Sequence, residues 1–199
     1  TGPNRGGKTT YTRAVGQAQI LFQAGLHVPA SQARLSPADA IYTHFPRLEE
    51  EQLGQGRLDE EAKRLARVFK DATRYSLILL NEVLAGTSAI EALGIAFDAM
   101  RGLRLLGARA IYTTHLHELA ARADEINAGT PGDALVGSLV AQVEEETSAA
   151  QSHHARTFRI VAGPPRGSSY ASEIAEQHGI SYPQLEELLQ EREQVANPN

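Results

Sequence analysis

Two glycines with four residues between them, followed at once by lysine and threonine, constrain this chain more than any other feature. Gly2-Pro3-Asn4-Arg5-Gly6-Gly7-Lys8-Thr9 fits the pattern G-x-x-x-x-G-K-[ST], in which a glycine-rich turn cradles a polyphosphate. Glycine lets the backbone turn sharply and approach the ligand closely. The successive N–H groups form an anion-binding concavity, and the helix that follows adds its positive end. In that pattern Lys8 reaches the β- and γ-phosphates and the Thr9 hydroxyl meets a magnesium ion, so Gly2 to Thr10 are the candidate phosphate-binding residues.

Such a loop follows a buried strand and opens a helix. The helix is expected from Thr9 to about Gln23, with Val15, Ala18, Ile20, Leu21 and Phe22 as its apolar face and Gly25 as its stop. The chain opens on the loop itself, so it reads as a piece of a larger protein. The supporting strand and the groups that hold a base are expected upstream of Thr1. Leu26-His27-Val28-Pro29-Ala30 reads as a short strand and Ala40 to Phe45 as another, with His27 and His44 as ordinary strand residues. From Leu48 to Asp71 charges crowd the chain. Gly54-Gln55-Gly56 breaks its first half, and the second half patterns as an amphipathic helix with Ala62, Leu65, Ala66, Val68 and Phe69 inward.

Tyr75 to Leu80 is apolar on both faces, as a buried parallel strand should be, and it runs into Asn81-Glu82. Carboxylates at the C-terminal end of such a strand sit where ligands bind in open α/β sheets. Glu82 is therefore the candidate general base for water attacking a γ-phosphate, and Asn81 stands where an aspartate usually supports the metal. Ser88 and Glu91 form a capping box before a helix that runs to about Leu106, with Leu93, Phe97, Met100 and Leu103 inward, and Gly107 ends it. Ala108 to Thr114 is a further strand. Strand, helix and strand in about 40 residues make a βαβ unit with parallel, adjacent strands, which brings His115 to the same sheet edge as Glu82. His115 is the candidate γ-phosphate contact. His115 and His117 lack a third ligand at matching spacing, which argues against a metal pair.

Composition closes several alternatives. The 199 residues contain no cysteine, which removes disulfides and thiolate metal sites. No apolar run approaches the roughly 18 residues of a membrane span, and a cytoplasmic setting is expected. A net charge of −5 without a Lys/Arg cluster argues against broad nucleic-acid binding by this segment. Ala134 to Val140 and Thr157 to Val161 read as strands flanking an acidic loop, Glu144 to Ala155, that carries His153-His154. Gly163 to Gly167 is a turn. Two helices follow, from about Ser169 to His178 and from Ser181 with a Ser181–Gln184 capping box, with Ile174, Ile180, Leu185, Leu188 and Leu189 as apolar faces.

Taken as a set, Thr1-Gly2-Pro3-Asn4 with Gly7-Lys8-Thr9, Val28-Pro29-Ala30, Tyr75 to Glu82, Gly86-Thr87-Ser88 and Thr114-His115-Leu116-His117-Glu118-Leu119 resemble the ATPase domain of MutS-type DNA mismatch-repair proteins, members of the ABC ATPase superfamily. The match runs in order over Thr1 to Leu119 and resumes at Gly167-Ser168-Ser169-Tyr170-Ala171. The resemblance implies an α/β P-loop NTPase fold of ABC type, with a parallel central sheet, additional strands and a C-terminal helical pair. The expected division is an ATPase domain over 1–163 and a helical segment over 164–199 that can join subunits. It also implies ATP and Mg²⁺ as ligands, DNA contact through domains outside this chain, and a homodimer whose two ATP sites are each completed by a signature segment from the other subunit. Gly54-Gln55-Gly56-Arg57 is that segment by position.

Two departures mark a divergent branch. Gly56 and Arg57 replace the usual Ser-Thr pair of the signature, and Asn81 replaces the metal-side aspartate. The expected function is ATP binding and hydrolysis coupled to recognition of a mismatch or another DNA structure. The alternatives are a nucleotide-dependent dimerisation switch with little turnover, and another ABC-type ATPase of chromosome maintenance.

Overall fold

The computed structural model describes residues 1–3, 6–46, 55–83, 87–148, 151–165, 176 and 178–196. In chain order these form α1 (Lys8–Gln23), β1 (Ile41–His44), α2 (Gln55–Asp71), β2 (Leu77–Asn81), α3 (Ala89–Leu106), β3 (Arg109–Thr113), α4 (His117–Ala121), α5 (Ala123–Gly129), β4 (Leu139–Ser148), β5 (Gln151–Ala162) and α6 (Tyr182–Ala196). The chain divides into two compact units, Thr1–Arg166 and Gly167–Asn199.

β2 is buried along its whole length, and its two faces feed two cores. Successive strand residues point to opposite sides of a sheet. Ile78 and Leu80 pack with Leu65 and Val68 of α2 and with Ala99 and Leu103 of α3. Leu77 and Leu79 pack on the other side with Ala38 and Val15. Truncating a side chain buried as fully as Leu79 to alanine typically costs about 2–5 kcal/mol. The strands run parallel in the order β1-β2-β3, with Tyr42 opposite Ile78, Ile78 opposite Ala110 and Asn81 opposite Thr113. The βαβ expectation for β2, α3 and β3 holds, so the carboxyl ends of the strands share one edge.

The buried face of α1 is not the one its apolar residues mark. Lys8, Thr12, Gly16 and Gln19 are buried, whereas Ile20 and Phe22 are exposed. Polar contacts explain this: Thr12 Oγ1 lies 2.7 Å from Thr113 Oγ1, and Gln19 donates to the Ser36 carbonyl. Gly16 faces Leu79, whose Cδ1 would lie 2.7 Å from an added Cβ, so glycine lets helix and sheet approach this closely without displacing that side chain.

Three expectations from the sequence are corrected. Leu26 to Ala30 is not a strand. The Leu26 N–H is spent on the Leu21 carbonyl at 2.8 Å and that of Gly25 on Phe22 at 3.1 Å, a Schellman closure of α1 with Gly25 at φ 71°. Ala134 to Ser138 is not a strand either. Asn127 pairs both ways with the Val136 backbone, and Arg104 takes the Ala134 carbonyl, so these groups have no free valence for a sheet. Finally, most of the span read as a loop from Glu144 to Ala155, including His153 and His154, lies in the β4–β5 ladder, with Glu145 opposite His154 and Glu146 opposite His153. Residues 149 and 150 fall outside the described set.

The β4–β5 ladder carries one interruption. Ala141 pairs with Ile160 and Val143 with Arg156, so residues 157–159 stand opposite Gln142 alone. Thr157 Oγ1 donates to the Gln142 carbonyl at 2.8 Å and accepts from the Arg159 N–H, closing the bulge. Phe158, at its apex, has φ 56°.

The α3 cap forms as expected. Ser88 accepts from the Glu91 N–H, and the Ser88 and Thr87 hydroxyls donate to the Glu91 carboxylate, which holds that carboxyl below its usual range. The core face of α3 is Ala92, Ala96, Ala99 and the expected Leu103, with Leu93, Phe97 and Met100 half-buried around them. In the second unit Ser181 caps α6, its hydroxyl donating to Gln184 Oε1 at 2.7 Å. Gly179, at φ 70°, turns the chain before it. The helix expected from Ser169 to His178 falls largely outside the described residues, with Glu176 helical within it. Leu185, Leu188 and Leu189 are exposed along α6.

Candidate functional site

The loop before α1 has the backbone its glycines were expected to supply. Gly2 lies at φ 128° and Gly7 at φ 90°, regions costly for any residue with a Cβ. Cβ atoms added at Gly2 and Gly6 would meet Ala141 of β4 at 2.8 and 3.0 Å. Thr1 fixes the approach: its nitrogen donates to the Leu139 carbonyl at 2.5 Å and its carbonyl accepts from the Ala141 N–H at 2.9 Å. The hairpin is therefore the wall against which the loop is folded.

Gly7 caps α1 with no side-chain hydrogen bond, and the first turn holds no acidic residue. The N–H groups that open a helix lack intrahelical partners. Among the described residues neither a capping side chain nor a first-turn carboxylate takes them up at α1, and a positive helix end of this kind attracts an anion. Lys8 is buried beside them and donates to the Gly2 and Pro3 carbonyls, each at 2.8 Å. Burial lowers its pKa, and the charge of Glu82 acts in the opposite sense.

β2 delivers the next two candidates. Asn81, 3% exposed, accepts through Oδ1 from Thr9 Oγ1 at 2.9 Å. Glu82 follows at φ 48°, its N–H bound to the Thr113 carbonyl at 2.8 Å. A left-handed conformation at a residue with a side chain costs on the order of 1–3 kcal/mol and gathers at functional sites. Here it turns Glu82 out of the sheet into a cavity of about 520 Å³, lined also by Gly6, Gly7, Lys8, Thr9 and Thr10.

His115 stands two residues beyond β3 at the same edge, exposed, and lines neither this cavity nor a second one of about 450 Å³ beside β3. His117 opens α4, with Nδ1 buried and without a hydrogen-bond partner among the described residues; burial lowers its pKa. Gln55, Gly56 and Arg57 are helical within α2, so the break read from Gly54-Gln55-Gly56 does not fall at Gln55 or Gly56. Asn4, Arg5 and Gly54 fall outside the described residues. The structure thus gathers the loop, Thr9, Asn81 and Glu82 into one place, and leaves His115 at its edge.

Four lining residues of that cavity have no counterpart in the sequence motifs: Tyr11 and Ala14 of α1, and Phe158 and Ile160 of β5. For the β5 pair the signal is a register bulge, which depends on a partner strand and is not visible in a local pattern.

The family model of MutS domain V matches residues 1–191. The chain belongs to the MutS domain V family. Among similar curated proteins, DNA mismatch repair protein MutS 1 of Halobacterium salinarum is 35% identical over 185 residues, 92% of this chain and 20% of that protein. The MutS proteins of Acaryochloris marina and Chlorobium limicola are 32% and 34% identical over 183 residues, covering 89% and 90% of this chain and 21% and 19% of theirs. The chain therefore spans about a fifth of the length of these MutS relatives.

For this MutS domain V the donor set can be tested against magnesium. Mg²⁺ keeps several waters and takes few protein ligands beside substrate phosphates. A hydroxyl and an amide oxygen 2.9 Å apart at the mouth of an anion cradle fit that demand, with one charge fewer than a carboxylate would bring. Among the described residues no helix is long and apolar enough to cross a membrane.

Proposed function

We propose that this chain is a P-loop ATPase module of ABC type that binds Mg·ATP and hydrolyses it. The observation that carries the reading is the single cavity shared by Gly6 to Thr10 and Glu82, with Asn81 hydrogen-bonded to Thr9 at its rim. The loop N–H groups and the α1 terminus hold the β- and γ-phosphates. Lys8 exchanges its bonds to the Gly2 and Pro3 carbonyls for phosphate oxygens. Thr9 and Asn81 would hold the magnesium ion, which neutralises charge developing on the phosphates when bound. Glu82 orients water for attack on the γ-phosphorus and accepts its proton as the bond to the β-phosphate oxygen breaks. His115, at the same edge, hydrogen-bonds the γ-phosphate.

The whole protein is a homodimer in this reading. Its partner's Gly54–Arg57 segment completes each ATP site through the first turn of α2, and the C-terminal helices, with exposed leucines on α6, contribute to subunit contact. Relatives named as DNA mismatch repair proteins support coupling of the ATP cycle to DNA recognition in domains outside this chain, in the cytoplasm. The test is phosphate release by the parent, Lys8→Ala and Glu82→Gln. Lys8→Ala should lose binding and turnover. Glu82→Gln should still bind ATP and turn over about 10²- to 10⁴-fold more slowly. Equal rates for all three would remove the assignment.

A second reading rests on Asn81. With a neutral group at the metal side, the module acts as an ATP-dependent dimerisation switch with little hydrolysis. Tight ATP binding and ATP-dependent dimerisation with negligible phosphate release would favour it.

A further inference from the structure

Two neighbouring residues end β3 and point to opposite faces of the sheet. Thr113 faces α1. Its Oγ1 lies 2.7 Å from Thr12 Oγ1, and its carbonyl accepts from the Glu82 N–H at 2.8 Å. Tyr112 faces the other way, into the core that α2 and α3 build on Ile78 and Leu80. The end of β3 therefore links the helix behind the phosphate loop to the packing of α2.

Tyr112 Oη is buried and has no hydrogen-bond partner among the described residues. Buried polar groups are as a rule hydrogen-bonded, so an exception calls for a reason. Packing supplies none, because a phenylalanine ring would fill the same core without stranding a hydroxyl. Burial, with the charge of Glu61 adding to it, pushes the phenol up to about 12, so it stays a donor through the neutral range. Glu61 is 4% exposed, on the face of α2 that carries Leu58, Leu65 and Val68 into that core. A carboxylate offers about four acceptor positions, so a phenol can join the interactions Glu61 already makes. A buried carboxylate gains from each donor added to it.

We propose that Tyr112 is a positioning residue of the nucleotide site: with nucleotide bound, its hydroxyl donates to the Glu61 carboxylate and sets α2 against the sheet edge that carries Glu82 and His115. The proposal rests on the nucleotide reading above. Phosphates settling at the start of α1 move that helix, the Thr12–Thr113 pair passes the movement to the end of β3, and Tyr112 moves with its neighbour. The hydroxyl is unsatisfied without ligand and satisfied with it, which is the differential interaction a ligand-driven change requires. Glu61 stands one turn beyond Arg57 in α2, so the bond also steadies the segment assigned above to the partner's site.

The test combines ATP affinity, thermal midpoints and tyrosine NMR on the full chain, with the Tyr112 ring-carbon signal identified by its loss in Tyr112→Phe. On saturation with Mg·ATP the parent's Tyr112 signal should shift and its hydroxyl proton should exchange more slowly. Tyr112→Phe should bind ATP roughly tenfold more weakly, while its midpoint without nucleotide equals or exceeds the parent's, a split that a purely structural residue would not show. In Glu61→Gln the loss caused by Tyr112→Phe should shrink, since the charged acceptor is gone. A Tyr112 signal unmoved at saturation, parent-like ATP affinity in Tyr112→Phe, or a lowered midpoint in that variant without nucleotide would each overturn the role. If the parent shows no saturable ATP binding, the nucleotide reading itself falls and takes this inference with it.

Discussion

Thr9 Oγ1 donates to Asn81 Oδ1 at 2.9 Å, joining the first turn of α1 to the end of β2 across 72 residues of chain. Asn81 is buried beside Thr113 of β3 and Thr9 opens the helix behind the phosphate loop, so the contact fixes loop and sheet edge relative to each other. It also puts a neutral amide where a carboxylate would serve a metal better.

Asn81→Asp is therefore predicted to lower the Mg²⁺ concentration for half-maximal hydrolysis, by roughly tenfold, since a charged acceptor binds about twice as strongly as a neutral one. Turnover should rise with it. A Mg²⁺ titration of phosphate release measures both. An unchanged half-maximal concentration would place the ion elsewhere.

The Thr12–Thr113 pair, 0% and 5% exposed, joins α1 to β3 beneath the site. Thr12→Val leaves a buried hydroxyl at Thr113 without this partner and should cost about 1–3 kcal/mol in urea unfolding. Replacing both residues with valine should recover most of that loss, because no polar group is then stranded. Additive losses in the double variant would show that the hydroxyls do not act as a pair.

Gly132 has φ 137°, and a Cβ there would lie 2.9 Å from the Arg104 carbonyl oxygen. Neither the backbone angle nor a neighbouring main chain yields cheaply, so Gly132→Ala is expected to destabilise by about 2 kcal/mol or more. Its midpoint in urea should fall with an unchanged slope. The Arg104 cage around Thr130, Asn127 and Ala134 should loosen in the same variant, seen as faster amide exchange in 127–136.

Glu91 titrates below its ordinary value of 4.5 because the Thr87 and Ser88 hydroxyls donate to its carboxylate. A depressed folded-state pKa adds stability that is present above the unfolded value and lost as pH falls through the folded one. Glu91→Gln should thus lower the thermal midpoint at pH 7 and make little difference below the folded-state value, on the acid side of pH 4.5. An equal gap at both pH values would assign the effect to the helix cap alone.

Much of the site is legible from local pattern because its parts are local. A glycine-rich loop, a strand apolar on both faces and a serine cap each carry their physics within a few residues, and Gly2, Gly7, Leu77 to Asn81 and Ser88 show it; the strand begins two residues later than its pattern, with Tyr75 exposed. What escapes is set by partners distant in sequence. The buried face of α1 is Thr12, Gly16 and Gln19 because Thr113, Leu79 and Ser36 face them, not because of helical hydrophobicity. Ala134 to Ser138 has strand-forming residues but loses its backbone groups to Arg104 and Asn127. Glu144 to Ala155 looks like solvent-facing loop until its acidic residues are paired with the histidines across the ladder. Phe158 comes beside Gly7 in a register bulge opposite Gln142, which no local pattern marks.

The central claim is that nucleotide phosphates sit in the cradle of Gly6 to Thr9, and backbone amide NMR of the labelled chain during titration with Mg·ATP reads that cradle directly. The account predicts that the largest shifts fall on the N–H groups of Gly6, Gly7, Lys8 and Thr9, that inorganic triphosphate reproduces them, and that Lys8→Ala abolishes them. Saturable shifts centred on any other part of the chain, with these four amides unmoved, would contradict it.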